Sequence, residues 1–258
     1  MRNALIADHD QIDRAIVAIG TDYPPQHLLP EHRHRRAQLL YGVSGVMQVR
    51  TPVGQWVVPP QRAVWLPPNM AHEVRMSGVS TRSLYVAPEA VTAPEFATCR
   101  VLAVSPLLRQ LLVEAVDMPL LYDLAGRDGA LMTLLLWEVA QMATLPFHVP
   151  LPQQHDPLWH WCQAFMQAPS VQYRPEQAAA NLHLSVRSLG RLFQAQLGLS
   201  FASWRERACV VTALARLAEG VAITTIAVDL GYGSSAAFTA MFKRVLGQVP
   251  SAFYVKKR

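Results

Sequence analysis

The chain has 258 residues, of which 51% are hydrophobic and 16% are charged, a balance that supports an apolar core and excludes a largely disordered protein. The net charge of +5 at pH 7 is distributed unevenly: residues 1–155 carry 12 Lys and Arg against 13 Asp and Glu, whereas residues 156–258 carry 11 against 5. The excess positive charge therefore lies in the last hundred residues, where it fits either a polyanion-binding domain or an ordinary basic surface.

The composition of the N-terminus and of the apolar runs predicts neither export nor membrane insertion. No apolar run approaches the roughly 18 residues that a membrane helix needs, and Asp8, Asp10 and Asp13 interrupt the N-terminal stretch. The three cysteines are widely spaced, which predicts neither a disulfide framework nor a cysteine-type zinc site. We therefore expect a cytoplasmic protein.

Short β-type runs separated by turn residues dominate positions 10 to about 90. The turn signals include Ser44-Gly45 and Pro59-Pro60. Many short strands at this spacing predict a small antiparallel barrel or sandwich. The predicted strands are Gln38–Val43, Val46–Thr51, Gln55–Val58, Ala63–Leu66 and Ser83–Val86.

Two neighbouring histidines, His32 and His34, are followed by Gln38 and, much later, by His72. This pattern resembles the paired motifs of cupin barrels. The resemblance implies that these side chains converge inside the barrel, where neutral imidazoles can bind a divalent metal such as zinc, nickel or iron. Gln38 stands where the cupin pattern has a carboxylate, which is the stronger ligand. The alternative is therefore an effector pocket without a tightly bound metal.

Three aromatic residues of the same region, Tyr41, Trp56 and Trp65, are candidates for lining an apolar effector cavity. Ordinary core packing explains the same residues equally well. The effector itself is not defined by these residues, because a pocket of mixed aromatic and histidine character admits many small molecules.

The hydrophobic periodicity becomes helical from about Ser105. Apolar residues at helical spacing predict helices over 105–117 and 129–143. Their apolar faces need a partner surface, so they either form a dimer interface or cover the barrel or the C-terminal domain. The proline-rich stretch from Leu145 to Pro152 cannot be helical and predicts a linker.

The last hundred residues contain one helical pattern twice. The apolar sets are Leu189, Leu192, Phe193 and Leu197, and, 49 residues later, Phe238, Met241, Phe242 and Leu246. Each predicted helix opens on a serine N-cap and closes on a glycine, Ser185 to Gly198 and Ser234 to Gly247. A short alanine-rich helix precedes each, so the segment predicts two helix-turn-helix units that bind DNA.

Burying the apolar face of the first helix leaves an outward face that consists of Arg187, Ser188, Gly190, Arg191 and Gln194. Arg187 and Arg191 are four residues apart on one side, and arginine suits bidentate contact with guanine in the major groove. Solvated arginines on an exposed helix face are the alternative.

The second helix has a different outward face. Its candidates for base contact are Ser235, Ala236 and Thr239, and the candidates for phosphate contact across both units are Ser185, Ser234, Lys243 and Arg244. Hydroxyls and lysines at a helix N-terminus and flank suit phosphate oxygens. We predict unequal roles, in which the first helix reads the sequence and the second mainly anchors. A long helix from Phe201 to Glu219 would hold the two about one DNA turn, roughly 34 Å, apart.

Over roughly residues 156–255 the chain resembles the AraC/XylS family of bacterial transcription regulators. The resemblance is carried by Leu189 to Phe193, Asp229 to Tyr232, Phe242 to Gly247 and Pro250 to Tyr254. It implies that the two units bind adjacent major-groove segments and that Arg187, Gly190 and Arg191 occupy base-contacting positions. The chain departs from the family at Gly190, which supplies no side chain, and at Ala240, where an arginine is common.

These patterns together predict an α+β multidomain protein. We expect a cupin-like antiparallel β-barrel over 1–104, a helical segment and linker over 105–152, and an all-α double helix-turn-helix domain over 153–258. We expect an activator or repressor that binds a double-stranded DNA operator and a small-molecule or metal effector, located on the nucleoid of a bacterial cytoplasm. RNA polymerase and a second copy of the chain are candidate partners.

Two other functions fit parts of the chain. One is a metal-dependent cupin enzyme that carries a DNA-binding domain, and the other is an architectural DNA-binding protein. The sequence has no phosphate-binding loop, nucleophile elbow or paired carboxylates. We therefore predict no catalytic residues.

Overall fold

The structure is a computed structural model that describes residues 11–77, 79–145, 147–153 and 156–253. The strands are β1 Ile16–Asp22, β2 Pro25–His32, β3 Ala37–Gly42, β4 Val46–Thr51, β5 Gly54–Val58, β6 Arg62–Leu66, β7 His72–Ser77, β8 Ser80–Val86, β9 Arg100–Ala103, β10 Thr144–Leu145 and β11 His148–Pro150. The α-helices are α1 Pro106–Ala115, α2 Arg127–Ala140, α3 Pro157–Gln167, α4 Pro175–Asn181, α5 Val186–Leu197, α6 Phe201–Ala218, α7 Ile223–Asp229 and α8 Ser235–Leu246. Short 3-10 helices lie at Pro88–Ala90, Pro94–Ala97 and Pro250–Phe253.

Antiparallel pairing arranges the strands in two sheets, with the orders β1-β8-β3-β6-β9-β10 and β11-β5-β4-β7-β2. β3 lies inside the first sheet, between β8 and β6, and all of its residues are buried. Because side chains alternate along a strand, Leu39 and Tyr41 lie on one face and Gln38 and Leu40 on the other. The predicted antiparallel β-domain is confirmed.

Helices α1 and α2 cover the face of the first sheet that carries Leu39 and Tyr41. Leu108 and Leu112 of α1 and Leu135 of α2 belong to the same buried apolar cluster as these two strand residues. Burial of one such leucine side chain contributes about 1.5–3 kcal/mol to folding. One face of each helix is therefore committed to covering the sheet.

The contacts divide the chain into two compact units, residues 1–49 with 58–145 and residues 50–57 with 146–258. This division differs from the predicted three-part organisation. The two helices belong to the first unit because they share its apolar cluster. The segment 50–57 and the proline-rich stretch after Leu145 belong to the second unit. β11 pairs with β5, and the Trp204 indole Nε1 donates to the Pro150 carbonyl at 2.8 Å.

The second unit contains the remaining helices. α3 begins as predicted, with Asp156 accepting a hydrogen bond from the Leu158 amide and Pro157 in the first turn. α6 has 18 residues, about 27 Å at 1.5 Å per residue, and it contacts both α5 and α8. The predicted all-α double helix-turn-helix domain is confirmed. Pro146 of the proline-rich stretch and Tyr254 of the family motif lie outside the described residues.

No helix in the described ranges combines the length and the apolar character that a membrane crossing requires.

The half-buried imidazole of His148 generates a prediction about stability and pH. His148 pairs with Trp56 across β11 and β5, and burial, together with the charge of Arg207, lowers its pKa from 6.5 to about 4. The unfolded chain takes up this proton near pH 6.5. The imidazole therefore contributes its full stability above that pH and loses it as the pH falls toward 4.

We expect a loss of up to about 3 kcal/mol from this one residue, converted at about 1.4 kcal/mol per unit of pKa. Urea unfolding at a series of pH values measures the effect in wild type and in His148→Gln. The variant should lose less of its free energy of unfolding between pH 6.5 and 4. Parallel profiles for the two proteins would contradict the depressed pKa.

Candidate DNA interface and histidine cluster

The first helix-turn-helix unit consists of α4 and α5. The Ser188 amide donates to Ser185 Oγ at 3.1 Å, and α5 ends at Gly198 with φ at 65°. The predicted caps of this helix are therefore confirmed. Leu189 and Phe193 are buried, as the amphipathic pattern predicts.

The predicted base-reading face of α5 is open to solvent. Arg187, Gly190, Arg191 and Gln194 are exposed and Ser188 is half-buried. Ser188 Oγ lies 2.9 Å from Ser185 Oγ, so its hydroxyl is shared with the helix cap. α5 contains no acidic residue. The exposed face therefore carries the charges of Arg187 and Arg191 without a carboxylate on the same helix.

The second unit, α7 and α8, repeats this construction. The Ala237 amide donates to Ser234 Oγ at 3.1 Å, and α8 ends at Gly247 with φ at 73°. Phe238 and Phe242 form its buried face. Both cap serines thus use their hydroxyl oxygen to accept a hydrogen bond from a helix amide. The hydroxyl of Ser234 also has a proton, which it can donate to a bound phosphate.

The outward face of α8 carries less charge than that of α5 near its N-terminus. Ala236, Lys243 and Arg244 are exposed, and Ser235 and Thr239 are half-buried. Arg244 donates to Glu206 Oε1 of α6 at 2.8 Å. The Arg244 guanidinium is therefore directed towards α6. The sequence alone did not predict this ion pair.

The turns of the two units share their backbone geometry. The Leu184 amide donates to the Ala179 carbonyl, and the Tyr232 amide donates to the Ala227 carbonyl, both at 2.8 Å. The residue before each donor has a positive φ, 53° at His183 and 80° at Gly231. His183 therefore holds a backbone conformation that glycine adopts more easily. The two turns therefore have the same hydrogen bond and the same positive φ at corresponding positions.

An aromatic cluster holds α5 in place. The Phe193 ring packs against Trp161 of α3, at 6.0 Å between centroids, and against Phe201 and Trp204 of α6, at 5.4 and 5.7 Å. All of these distances fall in the range of favourable aromatic pairs. The orientation of the α5 exposed face is consequently determined by packing on α3 and α6.

The three predicted metal-ligating histidines lie together in the first unit. His32 and His72 are paired residues of β2 and β7, with ring centroids 4.3 Å apart. The His34 ring lies 5.2 Å from that of His72. One ring nitrogen from each of the three lies within 4.8 Å of the others. We call these residues the histidine cluster.

Gln38 lies beside the histidine cluster, as the cupin resemblance implies. Its Oε1 is 3.3 Å from His34 Nε2. Its Nε2 donates to Tyr85 Oη at 2.9 Å and to Ser83 Oγ at 3.3 Å. Tyr85 and Ser83 thus orient the amide so that its oxygen faces His34. The sequence predicts a strand over Ser83–Val86 but not the role of these two residues beside the histidine cluster, because no local pattern marks a contact between β3 and β8.

Burial determines the charge state of the histidine cluster at its inner end. His72 is buried, and desolvation lowers its pKa from 6.5 to about 4, with the neighbouring His32 and His34 acting in the same direction. His72 is therefore neutral at pH 7, the state in which an imidazole binds a metal. His32 is the most exposed of the three and His34 is half-buried, so the cluster extends from the interior to the surface.

The predicted aromatic residues do not form one group. Tyr41 and Trp65 belong to the buried cluster under α1 and α2, where Trp65 Nε1 donates to the Phe96 carbonyl at 2.9 Å. Trp56 lies in the second unit, stacked on His148 at 6.2 Å. A cavity of about 630 Å³ in the second unit is lined by other residues: Val53, Pro150, Leu151, Pro152, Gln153, Asp156, Ala195, Gln196 and Leu197.

A β-domain with a histidine cluster and a second unit with two helix-turn-helix motifs form the organisation of a two-domain DNA-binding regulator. Comparison with family models agrees: the AraC-like ligand binding domain matches residues 15–136, and a helix-turn-helix domain matches residues 178–255.

Curated relatives include the HTH-type transcriptional regulator NimR of Escherichia coli strain K12, which is 31% identical over 249 residues, 96% of this chain and 89% of NimR. The HTH-type transcriptional regulator RipA of Corynebacterium glutamicum is 33% identical over 93 residues, 35% of this chain and 28% of RipA. The chain belongs to the AraC family of helix-turn-helix transcription regulators.

Solved structures that match this chain include ToxT of Vibrio cholerae, at 10% identity and a TM-score of 0.39 over 93% of this chain and 98% of ToxT. The C-terminal domain of the response regulator AraT from Geobacillus stearothermophilus is 21% identical, with a TM-score of 0.37 over 41% of this chain and 93% of that domain.

The two glycines of α5 generate a prediction about stability. A Cβ at Gly190 or at Gly198 would meet no atom within 4 Å, but only Gly198 has a positive φ. Gly190→Ala should therefore raise the free energy of unfolding by about 0.5–1 kcal/mol, because alanine favours a helix interior. Gly198→Ala, the matched control, should lower it by about 1 kcal/mol.

Urea unfolding followed by circular dichroism in the absence of DNA measures both changes. A destabilising Gly190→Ala would show that the position is constrained within the protein itself.

Proposed function

We propose that the protein is a sequence-specific transcription regulator, acting on the nucleoid in the cytoplasm, whose affinity for a DNA operator is controlled by an effector bound in the N-terminal domain. The family assignment supports the general role. The observation that carries the specific proposal is the exposed face of α5, which presents Arg187 and Arg191 on a helix held by the aromatic cluster.

Base reading is assigned mainly to α5. Arg187 and Arg191 lie one turn apart near the N-terminal half, and an arginine paired with guanine discriminates by about 1–3 kcal/mol. The side-chain amide of Gln194 can pair with adenine in the same way. Gly190 lies between the arginines with open space around it, so the helix backbone can approach the base edges closely. Ser188 completes the face.

α8 is assigned mainly to anchoring. Ser234 and Ser235 lie at its N-terminus, where amides and the helix dipole favour a phosphate. Lys243 adds positive charge in its last turn, and Arg244 beside it can reach a phosphate only by exchanging its ion pair with Glu206. Ala236 offers only a methyl group, which limits base contact by this residue to an apolar contact with thymine. Thr239 of the same helix supplies a hydroxyl.

Effector control is assigned to the N-terminal domain. An effector changes operator affinity only if it binds one conformational state of the protein more tightly than another. The result is read out as operator occupancy or as contact with RNA polymerase, and the position of the operator decides between activation and repression.

Self-association is assigned to the exposed face of α2. Trp137 is 67% exposed and Leu134 is 41% exposed, and residues three apart lie on the same side of a helix. Neighbouring exposed apolar side chains such as these two are suited to an interaction surface. A second copy of the chain would cover both, and a dimer would bind paired operator half-sites with a higher effective concentration.

The unequal roles of the two reading helices predict a difference between two alanine variants. Arg191→Ala should reduce affinity for the operator about 10- to 100-fold, with little effect on random DNA, because a base contact is lost. Lys243→Ala should weaken binding to both DNAs by a similar factor and lower the salt dependence by about one phosphate contact.

Fluorescence anisotropy with operator and scrambled duplexes across a salt series measures both variants. A loss confined to the operator in Lys243→Ala would contradict the anchoring role of α8. Equal losses on both DNAs in Arg191→Ala would contradict base reading by α5.

The self-association proposal predicts a change of mass in solution. Wild type should sediment as a dimer at micromolar concentration, and Trp137→Ser should shift the equilibrium to monomer while the circular dichroism spectrum of the folded chain stays that of wild type, because the side chain is exposed in the monomer. The matched control is Val53→Ser, which replaces an apolar side chain of similar exposure, 51%, between β4 and β5. A wild-type monomer would remove the proposal.

A further inference from the structure

Each imidazole of the histidine cluster is held by a backbone carbonyl two residues away. His32 Nδ1 bonds to the Pro30 carbonyl at 2.8 Å, His34 Nδ1 to the Arg36 carbonyl at 2.6 Å, and His72 Nδ1 to the Met70 carbonyl at 2.8 Å. A carbonyl only accepts, so each Nδ1 carries the proton. In the neutral rings, Nε2 then holds a lone pair, which is the arrangement found in metal-binding histidines.

The surroundings of two of the Nε2 atoms favour a cation. His72 Nε2 is buried without a hydrogen-bond partner among the described residues, an unfavourable state for a polar atom. His34 Nε2 faces Gln38 Oε1 at 3.3 Å, so two acceptors face each other when the His34 proton is on Nδ1. A cation close to both atoms removes this conflict and also satisfies His72.

We propose that His32, His34 and His72 bind one divalent transition-metal ion through Nε2, with Gln38 Oε1 as the fourth ligand. One ring nitrogen from each histidine lies within 4.8 Å of the others, whereas tetrahedral bonds of about 2.0–2.1 Å to zinc place ligands about 3.4 Å apart. Closing that gap requires side-chain movements of about 1 Å. Three imidazoles and one amide oxygen favour zinc, nickel, cobalt or iron(II) over magnesium or calcium.

Arg36 holds the backbone next to His34 in place. Its carbonyl holds His34, and its buried guanidinium donates to the carbonyls of Ile12 and Arg14 at 2.6 and 2.8 Å. The backbone that carries His34 is thereby attached to the segment that leads into β1. A bound metal would connect β2, β7 and β3 through their side chains. His32 is the most exposed of the three histidines, so an ion enters from solvent on that side.

A regulatory role for the metal rests on the proposed effector control, whereas metal binding itself can be tested independently of that proposal. Protein freed of metal by chelator dialysis is titrated with Zn²⁺ by calorimetry and with Co²⁺ by visible absorption. We expect one ion per chain, a tetrahedral Co²⁺ spectrum, and a rise in thermal stability of the loaded protein.

His32→Ala and His34→Ala should each weaken Zn²⁺ binding more than about 100-fold, and Gln38→Ala about 10-fold. His32→Ala is the main variant because its ring is the most exposed of the three and its removal leaves the fold intact. His27→Ala, on the same strand but outside the cluster, is the matched control and should bind as wild type does.

Absence of stoichiometric binding to wild type would overturn the proposal, and so would undiminished binding to both His32→Ala and His34→Ala. Operator affinity is measured separately on the metal-free and loaded samples. A protein that bound metal but failed to select DNA would contradict the proposed regulator function while leaving the metal site established.

Discussion

Within the second unit, the packing of Phe193 against Trp161, Phe201 and Trp204 is the contact on which the DNA-facing geometry depends. Neither α4 nor α5 is long enough to be stable alone in water, so their conformation is maintained by this buried aromatic surface. α6 provides two of the four rings and also contacts α8. The same helix therefore positions both α5 and α8, and the serine and glycine caps only determine where each begins and ends.

The Trp204 side chain also connects this unit to the middle of the N-terminal sequence. Its indole donates to the Pro150 carbonyl of β11, and β11 pairs with β5. Residues 50–57 are thus built into the unit that carries the reading helices, although most of β4 precedes them and β6 follows them in the sequence. The chain therefore passes between the two units at both ends of this segment as well as after Leu145, and the proposed effector control has these three covalent connections available.

Local features of the chain were predictable and long-range contacts were not. Ser185, Gly198, Ser234 and Gly247 act within a few residues, and the apolar spacing of α5 needs only its own sequence. The orientation of Gln38 depends on Tyr85, 47 residues away, which no local pattern marks. The aromatic candidates could not be sorted from sequence, because a buried core ring and a pocket ring have the same composition. The short strands β10 and β11 were not predicted, because they form only by pairing with β9 and β5, which are distant in sequence.

The central claim is that α5 and α8 together recognise a defined operator. Selection of bound fragments from random DNA by the purified full chain, at physiological salt, tests it most directly. We expect enrichment of one asymmetric site about two turns long, bound at least about 10³-fold more tightly than random DNA, with the more strongly specified half lying under α5. Binding that enriches no sequence would contradict it, because the protein would then hold DNA through phosphate contacts alone.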